Sequence, residues 1–441
     1  MSPSSLTQTP TSSGTKPAAR VWFGLYSLFL PAAYLVVKAI SLFHAKLRES
    51  LKGRRGGLAQ WRISQNDDRP GVLIHVASRG EFEGARPLID RLAEAGNIKI
   101  CVSYSSPSAR KAVESTLSIS CGGYLPLDFY TNQLELLRRL SPRVVAVFKH
   151  DFWPNMIRAA GDLGIPVVIA NGNFHPGSRR NLPMIGAFHR VFMRGIDAVW
   201  AISDDDAIRA RRLLSSRTRV QVVGDTRYDR VRTLAVQGQS RFQALRQALG
   251  SDRTIVAGST WPRCERICWQ AFSELRRDFP GLKLVIAPHE PTTAALARNL
   301  RAAAEAGVPV KIYSKWQGES IDAPVLMIDR VGDLAELYAV GWVAYVGGGF
   351  ESGVHSVIEP AAHGLPVAFG SRHQMSHEAG LLIQSGGGFP VNSAGALIRL
   401  WRSWLEQPAL RDQRAQSALE VVTSREGATE KMLSLLSAYF E

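Results

Sequence analysis

Residues 73–92 read Leu-Ile-His-Val-Ala-Ser-Arg-Gly-Glu-Phe-Glu-Gly-Ala-Arg-Pro-Leu-Ile-Asp-Arg-Leu. An apolar run stops at a Ser-Arg-Gly turn, and Glu81 stands where a helix should begin. The free N–H groups of a helix start favour the ionised form of such a carboxylate. Ionised, such a carboxylate can act as a proton acceptor. A plain N-terminal helix charge is the alternative reading. Glu83 falls on another face of the same helix and reads as a solvated charge.

A second stretch, Ala344-Tyr-Val-Gly-Gly-Gly-Phe-Glu-Ser-Gly-Val-His-Ser-Val-Ile-Glu359, places Gly347, Gly348, Gly349 and Gly353 after a strand and ahead of a helix predicted to begin near His355. Glycines let a backbone approach a ligand closely, and the N–H groups of a helix start suit a phosphate. Glu359 lies one turn past His355 and therefore on the same predicted face, where it can accept hydrogen bonds from the vicinal hydroxyls of a ribose. In Val256-Ala-Gly-Ser-Thr-Trp-Pro-Arg263 a strand ends in the hydroxyl pair Ser259 and Thr260, fit either for phosphate oxygens or for capping the next helix. Ala287-Pro-His-Glu-Pro291 ends another strand of the same half. Together these point to a nucleotide phosphate site. The Gly-x-Gly-x-x-Gly fingerprint of dinucleotide enzymes is missing after the first strand. Asp204-Asp-Asp206 is contiguous and reads as a helix-start cap, and no Asp-x-Asp pair is poised for a divalent ion, so neither metal nor cofactor is expected.

The elements that must hold these residues alternate. Strands are predicted at 72–76, 98–103, 143–148, 167–170, 198–202 and 220–223, with helices at about 81–95, from about 108, and at 153–163. Residues 231–249 read as a helical connection, after which strands return at 254–257, 283–287, 308–312, 325–328, 343–346 and 366–369. Strands alternating with helices imply parallel βαβ units. The fold class is therefore α/β, two Rossmann-like doubly wound domains facing a cleft. Ligands are expected at the strand C-terminal ends. The expected division is a tail at 1–20, a membrane anchor with basic flank at 21–58, an N-terminal Rossmann-like domain at 59–235 and a C-terminal, nucleotide-binding Rossmann-like domain at 236–441.

Composition narrows the setting. A net charge of +15 attracts anionic partners. No aromatic-interleaved basic strand or recognition helix argues for nucleic acid. Residues 21–37 carry no charge, Pro31 interrupts them, and Lys46, Arg48, Lys52, Arg54 and Arg55 follow closely. That pattern suits an uncleaved anchor, spanning or partly embedded, with the rest of the chain on the cytoplasmic side. Arg86, Arg110, Lys111, Arg138, Arg139, Arg179 and Arg180 are candidate contacts for such an anionic partner. Cys101, Cys121, Cys264 and Cys268 read as free thiols.

Taken in order, Ser78-Arg-Gly-Glu81, Phe152-Trp-Pro-Asn155, Gly224-Asp-Thr-Arg-Tyr-Asp229, Gly258-Ser-Thr260, Gly347-Gly-Gly-Phe350 and His355-Ser-Val-Ile-Glu-Pro-Ala-Ala362 are motifs whose combination is specific. The chain resembles, over nearly its whole length, the bacterial 3-deoxy-D-manno-octulosonic acid (Kdo) transferases of lipopolysaccharide biosynthesis, enzymes of the two-domain GT-B fold. The resemblance implies transfer of Kdo from CMP-Kdo to the tetraacylated lipid A precursor, lipid IVA, at the inner membrane. It assigns Glu81 as general base, with Asp151 and Arg227 assisting the transition state. CMP contacts map to Pro288, His289, Val331, Gly332, Asp333, Ser356, Val357, Ile358 and Glu359, beside the glycine loop of Gly348, Gly349 and His355. Many members have His-Asn where this chain has His355-Ser356, and Met-Glu-Thr-Glu where it has Phe148-Lys-His-Asp151. CMP leaves as a stable monoester anion, so a second carboxylic acid is not needed, unlike in glycoside hydrolysis. Fixed N–H groups and cations suffice. A single displacement with inversion follows. The rival readings are another GT-B nucleotide-sugar transferase or UDP-sugar epimerase, and a membrane-anchored binding protein without catalysis.

Overall fold

Among the described residues fourteen strands build two sheets, and every strand expected from the alternation is among them. The computed structural model describes residues 17–61, 67–149, 151–174, 190–351 and 353–441. Of the expected tail at 1–20, residues 1–16 lie outside the described residues, as do His150, Arg179 and Arg180, whereas residues 17–20 are corrected to helix, the first turn of Pro17–Ile40. The first sheet holds β1 (Gly71–Val76), β2 (Lys99–Tyr104), β3 (Cys121–Tyr124), β4 (Pro142–Phe148), β5 (Val167–Gly172), β6 (Ala198–Ala201) and β7 (Arg219–Val222), in the order β3-β2-β1-β4-β5-β6-β7. The second holds β8 (Thr254–Thr260), β9 (Lys283–Pro288), β10 (Val310–Ile312), β11 (Val325–Met327), β12 (Val343–Val346), β13 (Val367–Gly370) and β14 (Gly388–Val391), in the order β10-β11-β9-β8-β12-β13-β14. Central pairs such as β1 with β4 and β8 with β12 run parallel, and β1 is buried along its whole length. Sheets covered on both faces favour such largely apolar runs, here interrupted by His75.

The chain divides into two compact units, residues 1–227 with 427–441, and residues 228–426. The first boundary thus falls eight residues before the expected 235, and the last helix, Ala428–Ser437, belongs to the first unit instead of the second. The reason is apolar burial. Met432 and Leu436 join Val72, Ile74 and Leu88 in one core, and Glu430 pairs with Arg91 at 2.7 Å. The Asp204-Asp-Asp206 run sits in the first turn of the helix Asp204–Leu213, as a helix-start cap should, with Ser203 as N-cap. All four cysteines are buried free thiols.

Helix α1 (Pro17–Ile40) contains Pro31, and its segment Val21–Ile40 has a mean hydropathy of 1.7. Phe23 is buried against the first unit, while Val21, Leu25, Leu28, Phe29, Leu35 and Val36 are exposed. The Tyr26 hydroxyl donates to Asp128 at 3.0 Å, and Ser27 and Asn155 share a side-chain hydrogen bond of 3.4 Å. Helix α2 (Ala45–Arg55) follows, ending in Lys52, Arg54 and Arg55, cations that suit a helix C-terminus. Several of the cations expected to meet an anionic partner are paired on their own helices: Arg86 with Asp90, Arg110 with Glu114 and Arg139 with Glu135.

Asp128 also accepts the backbone N–H groups of Asn155 and Met156, at 3.0 and 3.1 Å, and so caps the helix Pro154–Asp162. Burial pushes its carboxyl up to about 7 against these donors. The folded state therefore holds a proton that the unfolded chain loses near the ordinary value of 3.8. Stability from this group is complete below that value and is lost as pH rises through about 7, each pH unit costing at most about 1.4 kcal/mol. Asp128→Asn should remove the slope. Melting temperatures measured from about pH 5 to about pH 8 would fall with pH for the unchanged protein and stay level for the variant.

Candidate functional site

Helix α3 (Arg79–Ala95) begins after β1 with Ser78 as N-cap, and the Glu81 N–H donates to its Oγ at 3.5 Å. The Glu81 carboxylate reaches back to accept the Ala77 N–H at 2.5 Å. This is close to a reciprocal capping box, so the structural reading of Glu81 is realised. Its electrostatics go further. Burial pushes the Glu81 carboxyl above its ordinary range, opposed by the Ala77 N–H and by Lys149, while Asp151 adds to the rise. Lys149 follows β4 with φ of 60°, a left-handed conformation that disfavours a side chain, and turns the chain toward Asp151.

Asp151 is held by a residue that the sequence reasoning passed over. His75 is fully buried on β1. Its Nδ1 shares a 2.8 Å hydrogen bond with the Ser103 hydroxyl, and its Nε2 lies 3.0 Å from Asp151. The Ser105 hydroxyl donates to the same Asp151 oxygen. Burial opposes the Asp151 charge, but the hydrogen bond and electrostatic attraction of His75, with the Ser105 bond, outweigh it and hold the carboxyl well below the usual range. Two neighbouring carboxyls are thus pushed apart in pKa, which separates a proton acceptor from a fixed negative charge. The signal was present in Leu73-Ile-His-Val76, since an imidazole in an otherwise apolar buried run needs a partner.

Arg227 is gripped by Asp225, whose Oδ2 lies 2.8 Å from Nε and 2.7 Å from Nη2. Asn171, buried with φ of 51°, donates to the Thr226 hydroxyl at 2.7 Å and steadies the same turn. On α3, Gly84 packs here, where a Cβ would stand 3.6 Å from the Arg227 side chain. The fold therefore brings Glu81 and Asp151 into one electrostatic neighbourhood and sets Arg227 against the helix that carries Glu81.

In the second unit the expected nucleotide residues gather at strand ends. Ser259, near the end of β8, has φ of 50°. The Gly347 N–H donates to Gly258 at 2.9 Å, and the His355 N–H donates to Gly347 at 3.1 Å. A Cβ on Gly349 would come within 2.7 Å of the Gly370 backbone, and one on Gly348 within 2.9 Å of the His355 ring. Beside them stands an aromatic stack. The His289 and His355 rings lie 4.3 Å apart at 15°, and Trp261 stacks on His289 at 5.1 Å. The Trp261 indole N–H donates to His355 Nε2 at 2.9 Å. The His289 N–H donates to the Thr260 carbonyl at 2.9 Å, which ties Pro288 and His289 to the end of β8. Trp261 was not among the expected residues. Its place next to a strand-end hydroxyl pair was the available clue.

Burial and the neighbouring His289 hold His355 down to about 4, so its ring is neutral near neutral pH and its Nε2 is free to accept. Trp261→Phe removes that donor. The His355 titration, followed by ring-proton NMR, should then move upward from about 4 toward 6.5.

One expectation is corrected. The helix does not begin near His355. His355 and Ser356 lie in a loop, Val357 is the N-cap, and the helix is only Ile358–Ala362. Gly348 and Gly353, with φ of 88° and 117°, fold the chain back on itself before the helix can start. His355 and Glu359 therefore share no helix face, and any phosphate contact falls to the loop. Glu359 sits instead near Tyr338, whose hydroxyl is pushed up by burial and by the Glu359 charge. Asp333 accepts from Arg330 and Arg241, both at 2.6 Å, next to the exposed Val331 and to Gly332, whose φ is 112°. Leu334 then packs toward Gly258, where a Cβ would be 2.9 Å away. A cavity of about 580 Å³ is lined by Glu351, Gly353, His355, Arg372 and Ser376, among others.

A profile of the family described as 3-deoxy-D-manno-octulosonic-acid transferase (kdotransferase) matches residues 49–230. The chain is 26% identical over 380 residues to the 3-deoxy-D-manno-octulosonic acid transferase of Haemophilus influenzae, covering 84% of this chain and 87% of that one. To the transferase of the same name from Aquifex aeolicus it is 27% identical over 356 residues, covering 80% and 86%. In structure it is similar to UDP-GlcNAc 2-epimerase from Neisseria meningitidis, with TM-score 0.60, 17% identity, and coverage of 83% and 100%. It is likewise similar to a glycosyltransferase from Rickettsia africae, with TM-score 0.56, 13% identity, and coverage of 85% and 99%. At these identities the two structures speak for the fold, which is of the GT-B type.

Proposed function

We propose that the chain is a member of the 3-deoxy-D-manno-octulosonic acid transferase family, a glycosyltransferase of lipopolysaccharide biosynthesis that moves Kdo from CMP-Kdo to a hydroxyl of the tetraacylated lipid A precursor. Glu81 takes the proton of that hydroxyl as it attacks the anomeric carbon. The observation that carries this role is the opposed pair: Glu81 raised by burial beside an Asp151 held ionised by His75. A base works best with a pKa raised toward the working pH, which favours Glu81 over Asp151. Arg227 offsets negative charge in the transition state. In the second unit, Ser259, Thr260 and the N–H groups around Gly348 and Gly349 hold the departing phosphate, while Glu359 receives the ribose hydroxyls. The stacked rings of Trp261, His289 and His355 support a nucleotide there, because aromatic faces and base or sugar surfaces pack well.

Attachment to the inner membrane, with both units on the cytoplasmic side, belongs to the same reading. The exposed apolar face of α1 supports it, as do the cations that follow at Lys46, Arg48, Lys52 and Arg55. The opposite face of α1 carries Phe23, Tyr26 and Ser27 against the first unit, which favours a helix embedded alongside that unit.

Purified protein should be incubated with CMP-Kdo and the lipid A precursor in detergent, and the lipid weighed by mass spectrometry. A gain in lipid mass equal to one or more Kdo residues is expected. Epimerisation of UDP-GlcNAc with no lipid product would instead favour the epimerase relatives of the fold.

A further inference from the structure

Helix α2, which follows the apolar anchor, reaches the carboxylate neighbourhood of the first unit. Gly53 makes this possible, because a Cβ there would overlap the Tyr124 ring on β3. The close approach turns Arg54 inward. Its Nη2 donates to the Ser105 carbonyl at 3.3 Å, and its guanidinium carbon lies 4.9 Å from the centre of the Trp153 ring. One turn earlier, the Ser50 hydroxyl donates to the same carbonyl at 2.8 Å. Ser105 is the residue whose hydroxyl donates to Asp151, and Trp153 stands two positions beyond Asp151. Burial lowers the Arg54 pKa, and Asp151 and Asp128 are the first charges that oppose this. A guanidinium in such company stays charged.

The Asp151–Asn155 segment is therefore held at both ends by the N-terminal helices. Arg54 and Ser50 of α2 act at the Asp151 end, through Ser105 and Trp153. Tyr26 and Ser27 of α1 act at the Asn155 end, through Asp128 and directly. We infer that Arg54 is a positioning residue for Asp151, so that the seating of the anchor helices and the geometry of the reaction site are one structural unit. The planar fork suits this task because it can stack on an aromatic face while donating along its edge. The inference rests on Asp151 acting in the transfer proposed above.

The test uses the full chain in detergent with dispersed acceptor, so that delivery to a membrane does not limit the rate. Arg54→Met should lower kcat by about 10–100-fold, the scale of a small misplacement, and leave KM for both substrates within about twofold. Arg54→Lys keeps the charge without the stacked fork and should recover part of that loss. Combined with Asp151→Asn, Arg54→Met should add no further loss beyond Asp151→Asn alone, because both act through one group. Unchanged kcat in Arg54→Met, or losses that multiply in the double variant, would overturn the inference while leaving the transferase reading intact. A fully active Asp151→Asn would overturn the role given to Asp151 and the inference with it. Where Arg54→Met yields no folded protein, Ser50→Ala removes one of the two donors to the Ser105 carbonyl. It should cost about threefold in kcat, without further loss on the Asp151→Asn background, and an unchanged kcat there overturns the inference.

Discussion

Glu81→Gln should slow sugar transfer by about 10²–10⁴-fold while CMP binds as before. The substitution is suited to the purpose because an amide oxygen can still accept the Ala77 N–H that the carboxylate now accepts at 2.5 Å. Capping boxes tolerate Gln in this position, so α3 should keep its start and the fold its stability. What the amide lacks is the ability to hold a proton. Single-turnover transfer and calorimetric titration with CMP separate the two effects, and near-normal transfer by the variant would sink the base assignment. The same group should set the acid limb of kcat/KM. Because burial raises Glu81, that limb lies above its ordinary 4.5, and activity falls as pH drops through it. The neighbouring charges give the signs of two companion shifts. Asp151 raises the Glu81 pKa, so any activity remaining in Asp151→Asn should show its limb at lower pH. Lys149 lowers it, so Lys149→Met should show the limb at higher pH.

The sheets were legible because parallel strands buried on both faces are mostly apolar, as β1 and β4 are apart from His75 and Arg143. Two strands were not legible, for identifiable reasons. β3 is Cys121-Gly-Gly-Tyr124, and its glycines lack the side chains that announce a strand. Gly123 must be bare because a Cβ would come within 2.7 Å of the Trp61 indole. β14 carries Pro390, which an edge strand tolerates and a sequence reading discounts. The return of the last helix to the first unit depends on Met432 and Leu436 meeting β1 and α3, contacts hundreds of residues apart that no local pattern encodes. In the site, Glu81 could be read from its place at a strand–helix junction. His75 could be noticed only as a polar break in an apolar run, and its bond to Asp151 required the fold. The helix start at His355 was misplaced because glycines that signal a phosphate loop also consume chain length by folding it back through Gly348 and Gly353.

That glycine loop yields the second large effect. In Gly347→Ala the added methyl would overlap the Ser259 carbonyl oxygen and lie 2.6 Å from its carbon and 2.7 Å from the Thr260 Cα. All three are backbone atoms, and β8 and β12 are paired in register through Val346 and Gly258, so no side chain can swing aside to make room. Either the strand ends splay or Ser259, already at φ of 50°, must leave its conformation. Overpacking of this kind typically costs about 1–3 kcal/mol. Here the strain falls on Ser259, Thr260 and the loop N–H groups proposed to hold the phosphate. CMP affinity should therefore fall by at least about tenfold and toward a hundredfold, each factor of ten being about 1.4 kcal/mol. The melting temperature should fall as well. Gly380→Ala supplies the contrast, because that glycine sits inside the helix His377–Ser385 with nothing within 4 Å of an added Cβ. It should keep CMP affinity and gain about 0.5–1 kcal/mol of stability from the better helix former. If Gly347→Ala binds CMP as tightly as Gly380→Ala does, the nucleotide phosphate does not sit at the paired ends of β8 and β12.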